Sequence, residues 1–254
     1  MFPKTLCSIG VALGLLISVA AISAHSESLT IENATLGERD QPAPDISTAE
    51  LRRILADHNA TVLDTRTMAE FDAGHIPGAK IAAGEGSQQL TAIENLVNGN
   101  KAAPLVLYCN GPFCQASRKL AKEMASAGFS NLRRYQLGMP VWRALGGPVV
   151  IEKQGVFRIL KDDRTAVLID ARAHTDFVKA TLAGAVNLPV EDFAAGKIKS
   201  PPLPIDDFNR RVILFGGHND EAARLAGLLA KRPWHNVMYY SGRFEDLQAV
   251  RTAR

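Results

Sequence analysis

Cysteine is scarce in this sequence: three among 254 residues, at positions 7, 109 and 114. So few cannot make the framework of a disulfide-stapled scaffold. No Cys or His pair at zinc spacing accompanies them, so the residues offer no metal site. A thioredoxin-type pair is missing as well, because it needs two intervening residues and Cys109 and Cys114 enclose four. Charge of one sign is not concentrated anywhere. The 29 Lys and Arg are interspersed with 26 Asp and Glu, without the basic stripe of a nucleic-acid binder and without an acidic tail. Beyond residue 24 there is no apolar run long enough to read as a membrane span. What is present is ordinary globular material, 46% hydrophobic, at a length that allows one large domain or two of usual size.

The first residues differ from the rest. Lys4 is followed by an apolar run from Leu6 to about Ala21, then by small residues up to Ala24. This is the layout of a secretory signal, expected over residues 1–24 and cut after Ala24, with export to the periplasm. A membrane anchor is the competing reading, but Ser8, Gly10 and Gly14 interrupt the run. No stable membrane span would remain after the cut. Cys7 would be removed with the signal, leaving Cys109 and Cys114 in an oxidising compartment. Residues 25–44 are polar, end in "QPAP" and read as a leader or linker.

From Ser47 onward the pattern alternates. Ser47 and Glu50 form a capping-box signal ahead of Leu51, Ile54 and Leu55 at helical spacing. Then follow strand-like "TVLD", a loop, helix-like "QLTAIENLVN", strand-like "PLVLYC", helix-like "QASRKLAKEMASAG", strand-like "NLRRYQL" and a short helix "PVWRAL". Strands alternating with helices predict an α/β fold whose parallel sheet carries helices on both faces. The order then repeats. "AVLIDAR" answers "TVLDTR", and "RVILFGGHNDEAARLAGLLA" answers "PLVLYCNGPFCQASRKLAKEMA". Asp64 and Asp170 are 106 positions apart, as are Gly78 and Gly184, and Cys109 and Gly216 are 107 apart. A nearly constant offset predicts two copies of one unit, expected over 45–148 and 149–254.

The stretch Asp64-x-Arg66 … Glu70-Phe71-x-x-Gly74-His75-Ile76-Pro77-Gly78-Ala79 closely resembles the signature of rhodanese domains. "LGMPVW", from Leu137 to Trp142, is similar to the ending of that family's domain, and the second copy resembles it through Asp170, Arg172, Phe177, Gly184, Ala185, Asn187 and Pro189. The resemblance implies two rhodanese-like domains in tandem. It also implies sulfurtransferase chemistry without metal or organic cofactor. A catalytic cysteine, here Cys109, would take sulfane sulfur from a small anionic donor such as thiosulfate and pass it to a thiol or cyanide-like acceptor. The loop residues Asn110, Gly111, Phe113, Cys114, Gln115 and Arg118 would surround that sulfur. The loop is one residue longer than is usual in thiosulfate-type members and in that respect resembles phosphatase relatives. Those close the loop with Arg, and this chain has Gln115 there.

The residues support the same placement. Cys109 follows a strand and precedes a helix, where α/β sheets carry their ligands and where loop and helix N–H groups stabilise a thiolate or persulfide. Gly111 lets the chain curl, and Pro112 fixes its turn. Asp64, Arg66 and Glu70 read as a structural charge network, His75 as a residue holding loop geometry, and Trp142 as core. Gly216 stands where the second copy would carry its cysteine, so that copy reads as catalytically inert. The second loop lacks both cysteines, so the fold does not need the pair. Cys114 keeps several readings: partner in a simple disulfide, resolving thiol that attacks a Cys109 persulfide, or spectator. Two other functions stay open, a redox-sensing module that binds a protein partner and a dithiol oxidoreductase.

Overall fold

The computed structural model describes residues 41–217 and 220–248. The expected signal, most of the leader and His218 lie outside the described residues.

In the first half, α1 (Thr48–Asp57) starts as its capping signal predicts: Ser47 Oγ accepts from the Glu50 amide at 3.1 Å, and Leu51 and Ile54 turn inward. There follow β1 (Thr61–Asp64), α2 (Met68–Ala73), β2 (Lys80–Ile81), α3 (Gly86–Leu96), β3 (Leu105–Tyr108), α4 (Ala116–Ser126), β4 (Leu132–Tyr135) and α5 (Gly138–Ala144). The four strands are parallel in the order β2-β1-β3-β4. Parallel neighbours require crossover connections, and the helices supply them. Every residue of the central β3 is buried, which is why it reads as a continuous apolar run.

The second half repeats this with β5 (Val150–Ile151), α6 (Lys153–Asp162), β6 (Val167–Asp170), α7 (His174–Lys179), β7 (Val186–Asn187), α8 (Val190–Ala194), β8 (Val212–Gly216), α9 (Glu221–Leu229), β9 (Val237–Arg243) and α10 (Phe244–Gln248). Its parallel order is β5-β9-β8-β6-β7. The pairing of β5 with β9 has a vestige in the first half, where Asp45 bridges Arg134 in parallel. The expected fold class is what forms: two α/β units, each a parallel sheet covered by helices.

The reading of the stretch between "TVLD" and "QLTAIENLVN" as loop is corrected. Thr67 and Glu70 close a capping box that starts the six-residue α2, too short for apolar periodicity to reveal. The two-residue strands β2 and β7 escape sequence patterning for the same reason.

The halves are joined by more than the chain. His75 and Val150 exchange backbone hydrogen bonds at 2.9 Å each. Helix α2 lies on α6 so closely that a β-carbon at Gly155 would fall 1.9 Å from the Asp72 carbonyl oxygen. One apolar cluster runs through both halves, taking Ile76, Tyr108 and Trp142 from the first and Ile151, Val156 and Phe215 from the second.

Candidate active site

The strand ends prepare the site. Asp64 ends β1 with no exposed surface. Its carboxylate accepts from the Arg66 amide at 3.0 Å, from Arg66 Nε at 2.9 Å and from Arg66 Nη2 at 2.6 Å. Tyr108, at the end of the neighbouring β3, donates its hydroxyl to Asp64 at 2.5 Å and accepts the Ile76 amide at 3.2 Å. Burial, and then the charge of Asp64, push the Tyr108 hydroxyl well above its ordinary range, so it stays a neutral donor. Burial works against the Arg66 charge, but the bonds and charge of Asp64 outweigh it and raise its pKa. Arg66 also donates to the Gly74 carbonyl at 2.7 Å, tying down the Gly74–Ala79 turn. Asp170, Arg172 and Ala180 reproduce this arrangement in the second half, at 2.9, 2.6 and 2.7 Å. The arrangement thus recurs in the half that has no cysteine.

His75 is 4% exposed. Its Nδ1 lies 3.0 Å from the Phe71 carbonyl, which can only accept, so Nδ1 carries the proton. Burial lowers its pKa, against the opposing pull of that hydrogen bond and of Glu152. The ring stacks on Phe71 at 3.7 Å and lies at the junction of the two halves.

Cys109 stands one residue beyond β3 and is 3% exposed. Three contacts shape the loop that follows. Met139 donates its amide to the Cys109 carbonyl at 3.1 Å, Cys114 donates its amide to the Gly111 carbonyl at 3.0 Å, and Asn110 Nδ2 donates to Glu70 at 2.5 Å. Arg66 reaches Asn110 Oδ1 at 3.4 Å, so the strand-end network and the loop form one connected set. Burial alone would raise the Glu70 carboxyl, but the bonds from Thr67 and Asn110 hold it below its ordinary value. Two glycines make the close approach possible. Gly111 has φ +114°, and Gly138 has φ +62° with no room for a β-carbon, which would fall 2.3 Å from the Cys109 carbonyl oxygen.

Cys109 and Cys114 are joined in a disulfide with Cα atoms 6.2 Å apart. Gln115 is the N-cap of α4 and its side chain caps nothing. The first turn of α4, next to the cysteine loop, is therefore without a side-chain cap from its N-cap residue. Arg118, in that turn, is half-buried and its Nε has no acceptor. Phe113 is 61% exposed. A hollow of about 180 Å³, lined by Thr65, Gln89, Ala116 and Lys119, opens beside the start of α4. A larger cleft of about 600 Å³ lies elsewhere, between the halves, lined by His75, Lys80, Glu152 and Tyr239. Among the described residues no His, Cys, Asp and Glu cluster could hold a metal ion.

Three residues here escaped sequence reasoning. Tyr108 looked like strand core. Arg143 carried no signal, yet its guanidinium packs against Gly74, where burial, and then repulsion from Arg66, lower its pKa. Glu221 carried no signal of its own either. In the second loop its Oε2 accepts the Gly217 amide at 2.6 Å and would lie 2.9 Å from a β-carbon at Gly216. The place of a cysteine side chain in that half is thus taken by a carboxylate of the chain itself.

The model of the rhodanese-like domain family matches residues 47–145 and again 156–249. An HTH-type transcriptional regulator of Mycobacterium tuberculosis is 33% identical over 109 residues, covering 42% of this chain and 45% of the regulator. The thiosulfate sulfurtransferase of Pseudomonas aeruginosa is 16% identical with a TM-score of 0.39, covering 85% of this chain and 46% of that one. A rhodanese-like domain from Anabaena sp. is 26% identical with a TM-score of 0.30, covering 36% of this chain and 99% of that one. The chain thus spans less than half the length of the regulator and of the sulfurtransferase. With the family model matching both repeats of the fold and most of the sequence, the chain belongs to the rhodanese-like family, as two such domains in tandem.

Proposed function

We propose that the protein is a sulfurtransferase in which Cys109 accepts sulfane sulfur from a small anionic donor of the thiosulfate type. The observation that carries this is the position of Cys109. It begins a tightly held loop at the carboxyl end of the central strand, next to the uncapped start of α4. The Cys109 thiolate attacks the outer sulfur of thiosulfate, a persulfide forms and sulfite leaves. The α4 amides stabilise the anionic persulfide, and Arg118 draws the donor in. Thiols or cyanide-like nucleophiles are the acceptor class. The second domain supports the first and carries no reaction of its own. The N-terminal segment directs the protein to the periplasm, which cell fractionation would check.

The test is sulfite release from thiosulfate by the reduced protein. Wild type is expected to release sulfite in proportion to protein, and Cys109→Ser none. Release that survives loss of Cys109 would falsify the proposal. The Cys109–Cys114 bond favours a second reading, a redox-sensing module that engages a protein partner. That reading predicts no sulfite at all and a change of partner binding on reduction.

A further inference from the structure

We infer that the Cys109–Cys114 pair turns sulfur uptake into sulfide release, so that the protein reduces its donor at the expense of a dithiol instead of handing a stable persulfide to an acceptor. This rests on the proposed role of Cys109.

Three observations carry it. First, the two sulfurs bond within the loop, with Cα atoms 6.2 Å apart, inside the ordinary range for a disulfide. Second, the loop is held by contacts that do not involve the disulfide: Met139 N to Cys109 O, Cys114 N to Gly111 O, and Asn110 to Glu70. Reduction therefore leaves Cys114 beside Cys109 Sγ. Third, the two cysteines differ in access, since Cys109 is 3% exposed whereas Cys114 is partly open. In the disulfide Cys114 is thus the sulfur open to an attacking thiol, and in the reduced loop the attack of Cys114 on Cys109 is intramolecular.

The chemistry follows. The Cys109 thiolate takes the outer sulfur of thiosulfate and sulfite departs. The Cys114 thiolate then attacks Cys109 Sγ, the inner sulfur of the persulfide. The bond between the Cys109 sulfur and the outer sulfur breaks, hydrosulfide leaves with the electron pair, and the Cys109–Cys114 disulfide forms. A dithiol next attacks Cys114, the accessible sulfur, and expels Cys109 as thiolate, a leaving group favoured by the adjacent helix start. The second thiol of the reductant closes its own disulfide and frees Cys114. Each cycle converts one thiosulfate and one dithiol into sulfite, hydrosulfide, a proton and the oxidised dithiol.

The experiment is a single turnover on the full chain. The protein is reduced with dithiothreitol, freed of it, and treated with thiosulfate. Sulfite, sulfide and the intact mass of the protein are then measured. Wild type is expected to give one equivalent each of sulfite and sulfide and to end as the disulfide. Cys114→Ser is expected to give sulfite without sulfide and to accumulate a persulfide on Cys109. If wild type releases sulfite but keeps a persulfide on either cysteine, the inference is overturned while Cys109 sulfur uptake stands. If Cys114→Ser releases sulfide as wild type does, the inference is likewise overturned. If neither protein releases sulfite, the sulfurtransferase reading falls, and this inference with it. Should Cys114→Ser fail to fold, the wild-type stoichiometry decides alone.

Discussion

Single atoms set the geometry of the cysteine loop. Gly138 is the clearest case, because its φ of +62° and the Cys109 carbonyl oxygen both exclude a side chain. Gly138→Ala is expected to cost about 1–3 kcal/mol and to lower the sulfite release rate, since relief requires moving the backbone of Cys109 and Gly111. Denaturant titration and the sulfite assay would check both. His75 bears on stability. Its pKa in the fold lies below the ordinary value of 6.5, mainly through burial. In the window between the lowered folded pKa and 6.5 the unfolded chain binds the proton and the folded one does not. The contribution is therefore complete above 6.5 and is lost as pH falls through that window. Wild-type urea midpoints should fall on acidification, and His75→Gln, less stable at neutral pH, should fall less steeply. Equal slopes would refute the assignment. The sequence singled out Cys109, Gly111 and His75 because motif and turn chemistry mark them. It could not single out Tyr108, whose hydroxyl finds Asp64 only when β3 lies beside β1.

Elements decide which half carries a cysteine loop. Both halves place a loop between a buried central strand and a helix, β3 to α4 and β8 to α9. One opens with Cys109, the other with Gly216 and the carboxylate of Glu221. The absence of a nucleophile was legible in the sequence. The occupation of its place was not, because an acidic residue at the start of a helix reads as an ordinary favourable partner of the helix dipole. Restoring the thiol alone should thus fail. In a Cys109→Ser background, Gly216→Cys is expected to take no sulfur from thiosulfate, because Glu221 fills the space and holds the Gly217 amide. Adding Glu221→Ala should permit uptake, read as a mass gain of one sulfur atom. Uptake by Gly216→Cys with Glu221 intact would show that the carboxylate is no barrier.

At the scale of the whole molecule, the described residues of the two halves are packed together. The apolar cluster shared by the halves, the His75–Val150 bridge and the α2–α6 contact leave little reason for one half to unfold first. The two tryptophans report on different halves, Trp142 in the first and Trp234 in the second. Fluorescence of Trp142→Phe, fluorescence of Trp234→Phe and calorimetry are expected to give coincident unfolding transitions. A separate early transition of either tryptophan would mean that the halves are independent.

The sequence by itself determined the repeat, the alternation of strands and helices, the parallel sheets and the position of the cysteine pair. Each follows from periodicity, spacing or turn chemistry, which act between residues close along the chain. Only the tertiary structure decided that Tyr108 locks Asp64, that Gly138 gives way to the cysteine backbone, that Glu221 fills the second loop and that the halves share a core. These depend on residues distant along the chain meeting in space, and no local pattern encodes such a meeting.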